Sequence, residues 1–137
     1  MPTFSELIRS EEEVLKRVLV AAQRQLEIAE AGNVTVLIQH LGQRQQLWNE
    51  FELLEQQLIA YKEIPPEHRV WENADERRWT ELTLDRCKEL LGQILENDEK
   101  SEALIAAQRN EVEKQLNRLQ RGTPVATTYG RQSQLPQ

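Results

Sequence analysis

Few side chains in this sequence are of the types that carry out catalysis or bind metals. The chain contains two histidines, His40 and His68, and a single cysteine, Cys87. Neither histidine has a glutamate three residues before it, so the Glu-x-x-His pattern of helical di-metal sites is absent. The sequence also lacks a His-Glu-x-x-His zinc motif, a glycine-rich phosphate loop and a Gly-x-Ser-x-Gly nucleophile motif. We therefore predict no catalytic residue, no metal ligand and no cofactor, and a protein that is not an enzyme.

The reactive side chains that are present have ordinary structural explanations. We expect His40 at an exposed or edge position of a helix and His68 in a loop. Cys87 falls on an apolar helix seam, where a small buried hydrophobic side chain is more common than a nucleophile. Runs of carboxylates, such as the glutamates at 11–13, are predicted to lie on solvated helix faces.

The composition predicts long helices packed side by side. The chain has 137 residues, which suits one domain, and charged residues make up 29% of it against 39% hydrophobic ones. That balance leaves apolar side chains for narrow stripes along helices rather than for a broad core. The formal net charge of −6 argues against nucleic-acid binding, because such binding needs basic residues that displace counterions.

Nothing in the sequence predicts transport into or across a membrane. The N-terminal stretch MPTFSELIRSEEE has neither the basic nor the apolar region of a secretory signal. No apolar run approaches the ~20 residues that a membrane span requires. We therefore expect a soluble, intracellular protein without membrane insertion.

A first helix is predicted over residues 3–31. Thr3 and Glu6 have the spacing of a capping box, and Gly32 is a natural residue to follow the last turn. Apolar residues recur at steps of three and four along this segment, so they share one face. Glu11 is the only polar residue that interrupts that face.

A second helix is predicted over residues 33–62, antiparallel to the first. Asn33 follows Gly32 directly and is a natural N-cap, so the connection between the two helices is short. Pro65 and Pro66 end the segment, because proline lacks an amide donor and disfavours helix in the preceding residue. The predicted apolar stripe consists of Val34, Leu37, Ile38, Leu41, Leu47, Trp48, Phe51, Leu54, Leu58 and Tyr61.

A third helix is predicted over residues 73–121, because no proline interrupts the chain before Pro124. Its heptad seam is apolar in the first half and becomes polar at Asp98 and Ser101. The stretch LENDEKSEA therefore indicates either a kink or a break that starts a fourth helix. The predicted fold class is all-α, an antiparallel coiled-coil-like bundle of three long helices, or of four if the third breaks near Asp98.

The role of the apolar residues near the end of the third helix depends on that choice. An unbroken, straight helix of ~47 residues would extend roughly 70 Å, against roughly 40 Å for each of the first two. Its last third would then expose an apolar stripe, which is a candidate partner site. If the chain folds back at 97–100, the stripe is ordinary core of a four-helix bundle. The stripe residues are Leu104, Ile105, Val112, Leu116 and Leu119.

The chain ends in a segment whose composition predicts a flexible tail, residues 122–137, after a helical domain at 1–121. Gly122 favours the end of a helix and Pro124 prevents a restart. The ending RGTPVATTYGRQSQLPQ has no carboxylate side chain and a single aromatic one, Tyr129.

Three stretches together resemble the FlgN-type flagellar type III export chaperones. The stretch LEIAEAGNVTVLIQHLGQRQQLWNEFELLEQQL is similar to the first turn and Leu-rich second helix of that family. The stretch CKELLGQILENDEKSEALIAAQRNEVEKQLNRLQRG is similar to its long final helix. In the tail, a glycine is followed some residues later by Tyr-Gly, as in the family. The resemblance covers nearly the whole chain.

The resemblance implies a cytoplasmic chaperone that uses neither nucleotide nor metal. Such chaperones bind the C-terminal helices of hook-associated (hook–filament junction) proteins, prevent their premature assembly and deliver them to the export gate. Tyr129 matches the family's tail tyrosine, which contacts the cytoplasmic domain of the gate. The positions that match the family's client-binding helix are Leu104, Ile105, Gln108, Val112, Leu116 and Leu119.

Two other functions fit the same sequence. The chain also resembles, more distantly, the FliT-type chaperones of the filament-cap protein, whose terminal helix can mask its own binding site. Alternatively, the protein is a helical-bundle or coiled-coil adaptor without an export role, and the stripe is a dimer interface. We expect a monomer or a weak homodimer.

Overall fold

The computed structural model describes residues 2–122, which form three long helices. Helix α1 is Phe4–Ala31, α2 is Val34–Lys62 and α3 is Ala74–Gly122. A single 3-10 turn, Pro66–His68, lies in the connection between α2 and α3. Within the described range there is no β-strand, which confirms the predicted all-α fold.

Local hydrogen bonds at the predicted caps set the bounds of α1. The Thr3 hydroxyl accepts from the Glu6 amide at 3.2 Å, and the Glu6 carboxylate accepts from the Thr3 amide at 3.3 Å. Gly32 has φ 72°, a left-handed conformation that costs glycine little, and its amide donates to the carbonyls of Ile28 and Ala29. The predicted first helix is therefore confirmed at both ends.

The next two helix starts use asparagine caps. The Asn33 side-chain oxygen accepts from the Val36 amide at 3.1 Å, so α2 begins one residue after the turn. At the start of α3, the Asn73 side-chain oxygen accepts from the Glu76 amide at 2.8 Å. The connection from α1 to α2 is short, whereas residues 63–73 separate α2 from α3.

The three helices run up, down and up within residues 2–101. The Tyr61 hydroxyl donates to the Pro2 carbonyl at 2.8 Å, so the end of α2 lies beside the start of α1. The Thr80 hydroxyl donates to Ser5 at 3.1 Å, which places the start of α3 beside the start of α1 as well. Helix α2 is thus antiparallel to its two neighbours, as the short first connection predicts.

The apolar core is built mainly from α1. Leu15, Val18 and Ala22 of α1 are fully buried, and Cys87 and Ile94 of α3 pack with them. A second cluster closes the end of the bundle where the chain starts, and its buried residues are Phe4, Leu7, Ile8 and Leu58. The predicted apolar face of α1 is therefore the main core surface of the bundle.

The predicted stripe of α2 is wrong at its N-terminal end. Val34 is 67% exposed, Ile38 64% and Leu41 45%, whereas His40 and Arg44 are buried. The inward face follows an unbroken series of steps of three and four, and polar residues occupy part of it. Its members are Leu37, His40, Arg44, Leu47, Phe51, Leu54, Leu58 and Tyr61.

Helix α3 does not break at the stretch LENDEKSEA. It is continuous from Ala74 to Gly122, so the alternative prediction of a fourth helix that starts near Asp98 is wrong. The polar side chain of Asp98 forms an ion pair with Arg44 of α2, and the chain does not turn at this position. None of the described helices combines the length and the apolar content that crossing a lipid bilayer requires.

Candidate functional site

The predicted apolar stripe lies in the last part of α3 and is solvent-accessible. Val112 is 55% exposed, Leu116 52% and Leu119 62%. Gln108 is exposed as well, whereas Leu104 and Ile105 are half-buried. No side chain in the described range 102–121 is fully buried. The stripe is therefore a surface feature and not core, which excludes the four-helix-bundle alternative.

The spacing of the stripe residues places them on one face of the helix. Val112, Leu116 and Leu119 follow one another at steps of four and three, which is the repeat that aligns side chains along an α-helix. Charged and uncharged polar residues occupy the positions between them, so the surface is amphipathic. Such a face can bind the apolar side of a partner helix.

Neither a metal-binding cluster nor a reactive thiol is found among the described residues. No cluster of three or more His, Cys, Asp or Glu residues within 2–122 could hold a metal ion. Cys87 is buried, as predicted, and burial together with the charges of Glu11 and Glu12 raises the pKa of its thiol to about 11. The thiol is therefore protonated near neutral pH and is a poor nucleophile.

His40 is not the exposed or edge residue that its helical position predicts. It is 6% exposed, and its Nε2 lies 2.7 Å from the carbonyl oxygen of Ala21 in α1. The prediction is wrong because a neighbouring helix supplies a polar partner, which makes burial of the ring tolerable. His40 therefore ties α1 to α2, and its ring has a structural role.

Glu11 and Glu12 are buried, so the prediction of a solvated carboxylate face holds only for Glu13. Glu11 is 6% exposed and Glu12 7%. The Glu12 carboxylate is paired with Arg86 of α3 at 2.6 Å. Oε2 of Glu11 is buried without a hydrogen-bond partner among the described residues. The two neighbouring carboxylates therefore differ in their electrostatic environment, because Glu12 is paired with a cation and Glu11 is not.

Burial and the neighbouring Glu55 together raise the pKa of Glu11 from 4.5 to about 7. Burial also opposes ionisation of Glu55, but hydrogen bonds from Lys62 and Glu11 outweigh it and lower its pKa. The Lys62 ammonium lies 2.7 Å from the Glu55 carboxylate. At mildly acidic pH the protonated Glu11 donates to the ionised Glu55, so one proton links α1 and α2.

Replacing Glu11 with Gln is expected to stabilise the protein above neutral pH. The folded protein binds the Glu11 proton more tightly than the unfolded chain does. This stabilisation is complete below pH 4.5 and is lost as the pH rises through about 7. Since glutamine never ionises, Glu11→Gln is expected to raise the free energy of unfolding at pH 8.5 by about 1–3 kcal/mol.

Urea unfolding at pH 5.5 and pH 8.5 measures this effect. Glu30→Gln is the matched control, since Glu30 is exposed on the same helix and its removal is expected to change stability by less than ~0.5 kcal/mol at either pH. If Glu11→Gln is destabilising by the same amount at both pH values, Glu11 is not the titrating group.

A buried polar layer joins all three helices. The Arg44 guanidinium of α2 makes two hydrogen bonds to the Asp98 carboxylate of α3, at 2.7 and 2.6 Å. The same guanidinium donates to the Gln25 side-chain oxygen of α1 at 2.7 Å. The Arg44 side chain is 8% exposed and that of Asp98 25%. The sequence indicated Asp98 as a polar seam position, but it gave no partner for it.

The three tryptophans have different environments. Trp48, a member of the predicted stripe of α2, packs on the main core with its ring edge-on to Phe51. Trp71 packs edge-on against Phe4 and so covers the end of the bundle. Trp79 is 50% exposed, with the Arg9 guanidinium 4.7 Å above its ring, so it is a surface residue.

Two kinds of side chain distinguish the described residues. They provide an exposed apolar stripe, whereas the buried titratable groups are used in contacts between helices. Tyr129, the predicted gate-binding residue, lies outside the described residues. No protein-family model, curated protein or solved structure matches the chain.

Proposed function

We propose that this protein is a cytoplasmic flagellar export chaperone of the FlgN type. It binds the C-terminal helices of hook–filament junction proteins, keeps them from assembling prematurely and delivers them to the export gate. The client lies on the stripe of α3, and Tyr129 in the tail contacts the cytoplasmic domain of the gate. The client-binding residues are Leu104, Ile105, Gln108, Val112, Leu116 and Leu119.

The observation that carries this proposal is the exposed apolar face at the end of α3. Three large side chains, Val112, Leu116 and Leu119, are each more than half exposed at helical spacing. Full burial of such a side chain contributes about 1.5–3 kcal/mol, and a little over half of each is exposed, so covering all three contributes roughly 3–5 kcal/mol toward the entropy lost in docking a helix. The partner that fits this surface is an amphipathic helix, which is the form of the proposed client segments.

Titration with a client peptide tests the proposal. A peptide of the C-terminal helix of a hook–filament junction protein from the same source is mixed with the full chain and followed by calorimetry. We expect a saturable 1:1 complex with micromolar or tighter affinity. The control peptide has its apolar positions replaced by serine and is expected not to bind. Absence of binding by the unaltered peptide at micromolar concentration would contradict the client assignment.

Tyr129→Ala is expected to separate gate docking from client binding. The substitution removes the one aromatic side chain of the tail and leaves the helices unchanged. We expect the thermal midpoint and the client affinity to stay the same, and binding to the cytoplasmic domain of the export gate to weaken at least about tenfold. Tyr129→Phe, which keeps the ring, is the conservative comparison. If Tyr129→Ala unfolds the protein, the tail has a structural role instead.

A further inference from the structure

An apolar cavity lies at the end of the bundle where the chain begins, within residues 2–101. Its volume is about 420 Å³, and aromatic side chains from two helices and the α2–α3 connection line it. Phe4, Tyr61 and Trp71 form this lining together with Ile64. A cavity of this size and character accommodates a bulky aliphatic or aromatic side chain.

Val70 marks the cavity as a contact surface. It lines the cavity, and its side chain is 96% exposed although it is β-branched and apolar. Arg69, the preceding residue, has its guanidinium 4.5 Å above the Phe4 ring, so its apolar stem and flat head extend the same wall. The connection therefore presents apolar surface around the cavity, where a solvated loop would carry polar residues.

Two buried donors belong to the cavity wall. Nε of Arg69 and Nε1 of Trp71 are shielded from solvent, and neither has a hydrogen-bond partner among the described residues. A buried donor without an acceptor costs about 1–3 kcal/mol. Because no solvent-sized oxygen reaches either atom, an occupant of the cavity is held by apolar contact and by charge, not by these donors.

An acidic groove adjoins the cavity. It has a volume of about 370 Å³ and shares Thr3, Ser5, Glu72 and Glu76 with the cavity. Asp75 and Glu6 also line it, so carboxylates outnumber its one arginine, Arg9. The carboxylates of Glu72 and Asp75 are exposed and form no ion pair with any described residue. A cation beside the apolar side chain of an occupant would be attracted to this groove.

We propose that this cavity and groove bind a segment of a partner protein in which a bulky apolar residue is followed by lysine or arginine. The apolar side chain enters the cavity between Phe4 and Trp71, and the basic side chains lie over Glu72 and Asp75. This site is independent of the proposed function, since it shares no residue with the stripe of α3.

The probe for this site is the peptide acetyl-Leu-Lys-Lys-amide, added to the full chain labelled with ¹⁵N. The readout is the indole N–H resonance of Trp71, assigned by single Trp→Phe variants. We expect a saturable shift of this resonance because Trp71 lines the occupied cavity, whereas the resonance of the core residue Trp48 stays in place. Acetyl-Ala-Lys-Lys-amide is expected to bind at least about tenfold more weakly, because it lacks the apolar anchor.

Charge is tested in both molecules. Acetyl-Leu-Glu-Glu-amide is expected to bind at least about tenfold more weakly than the lysine peptide, because it meets the carboxylates of the groove. Glu72→Gln combined with Asp75→Asn is expected to weaken the lysine peptide at least about threefold. Glu27→Gln with Glu30→Gln is the matched control, because it removes the same charge from exposed sites near the other end of α1.

Val70→Ser is a variant that leaves the stability of the fold unchanged, since the Val70 side chain is almost fully exposed. We expect it to weaken the peptide about threefold without changing the thermal midpoint. An unmoved Trp71 resonance at millimolar peptide would overturn the proposal. Equal binding of the lysine and glutamate peptides would overturn it too, as would an unchanged affinity in the Glu72/Asp75 variant.

Discussion

Replacing Arg44 with Ala is expected to lower the free energy of unfolding by about 3 kcal/mol. The substitution removes two hydrogen bonds to Asp98 and one to Gln25, and it leaves the Asp98 carboxylate only 25% exposed without its cation. An unpaired carboxylate in that position is stabilised neither by water nor by a partner, so the loss exceeds that of a surface pair. Urea unfolding at pH 7 measures the change.

A double variant separates the cost of an orphaned charge from the value of the ion pair. Arg44→Leu with Asp98→Leu removes both charges, and hydrophobic replacements of buried pairs are often neutral or stabilising. We expect this variant to recover most of the stability lost in Arg44→Ala. Arg24→Ala is the control for loss of an arginine at an exposed position and is expected to change stability by less than ~0.5 kcal/mol. Equal effects of Arg24→Ala and Arg44→Ala would show that the buried pair contributes nothing.

Leu116→Asp is expected to abolish measurable client binding, a loss of at least about a hundredfold, with no loss of stability. Leu116 is 52% exposed, so the aspartate remains hydrated in the free protein, and the fold does not depend on the side chain. In the complex the same carboxylate would be buried against the apolar face of the client helix without a partner. Calorimetry with the client peptide measures the affinity, and thermal unfolding measures the stability.

The control for this variant is Asn117→Asp, the neighbouring position. Asn117 is exposed, and its substitution by aspartate adds the same charge to the same turn but outside the stripe. We therefore expect the affinity to change by no more than about threefold. Sedimentation of both variants separates the proposal from the adaptor alternative. If the wild-type chain is a dimer that Leu116→Asp dissociates, the stripe is a self-association surface and the client proposal fails.

The helix bounds could be predicted because short-range chemistry determines them. The Thr3–Glu6 capping box, the left-handed Gly32 and the asparagine caps all act within three or four residues of the helix ends. The hydrophobic face of α1 could also be predicted, since eight of its twelve buried residues are apolar and recur at helical spacing. Local signals of this kind do not depend on which helix lies opposite.

The polar part of the bundle could not be predicted because its partners are far apart in sequence. Arg44 and Asp98 are 54 positions apart, and Arg44 interrupts the very apolar pattern by which a buried face is recognised. His40 and Arg44 nevertheless continue the steps of three and four that lead to Leu47 and Phe51. Extending that series through polar residues, rather than shifting to Ile38 and Leu41, would have located the inward face of α2.

The candidate site was predictable in part. The stripe residues and their helical spacing follow from the sequence, but their exposure depends on whether α3 continues past Asp98. The polar seam at Asp98 indicated a kink or a break, whereas in the structure Asp98 forms an ion pair with Arg44. The cavity at the end of the bundle had no sequence signal beyond the apolar residues around Pro65 and Pro66, since it forms only where three separate segments meet.

The protonated, buried thiol of Cys87 has a practical consequence for spectroscopy. Because maleimides and methanethiosulfonates react with thiolates, this cysteine is slow to label while the protein is folded. A second cysteine placed at an exposed position such as Asn117 would then be the single fast-reacting group in the chain. A fluorophore or spin label can therefore be attached beside the stripe without first removing Cys87, whose side chain fills part of the core.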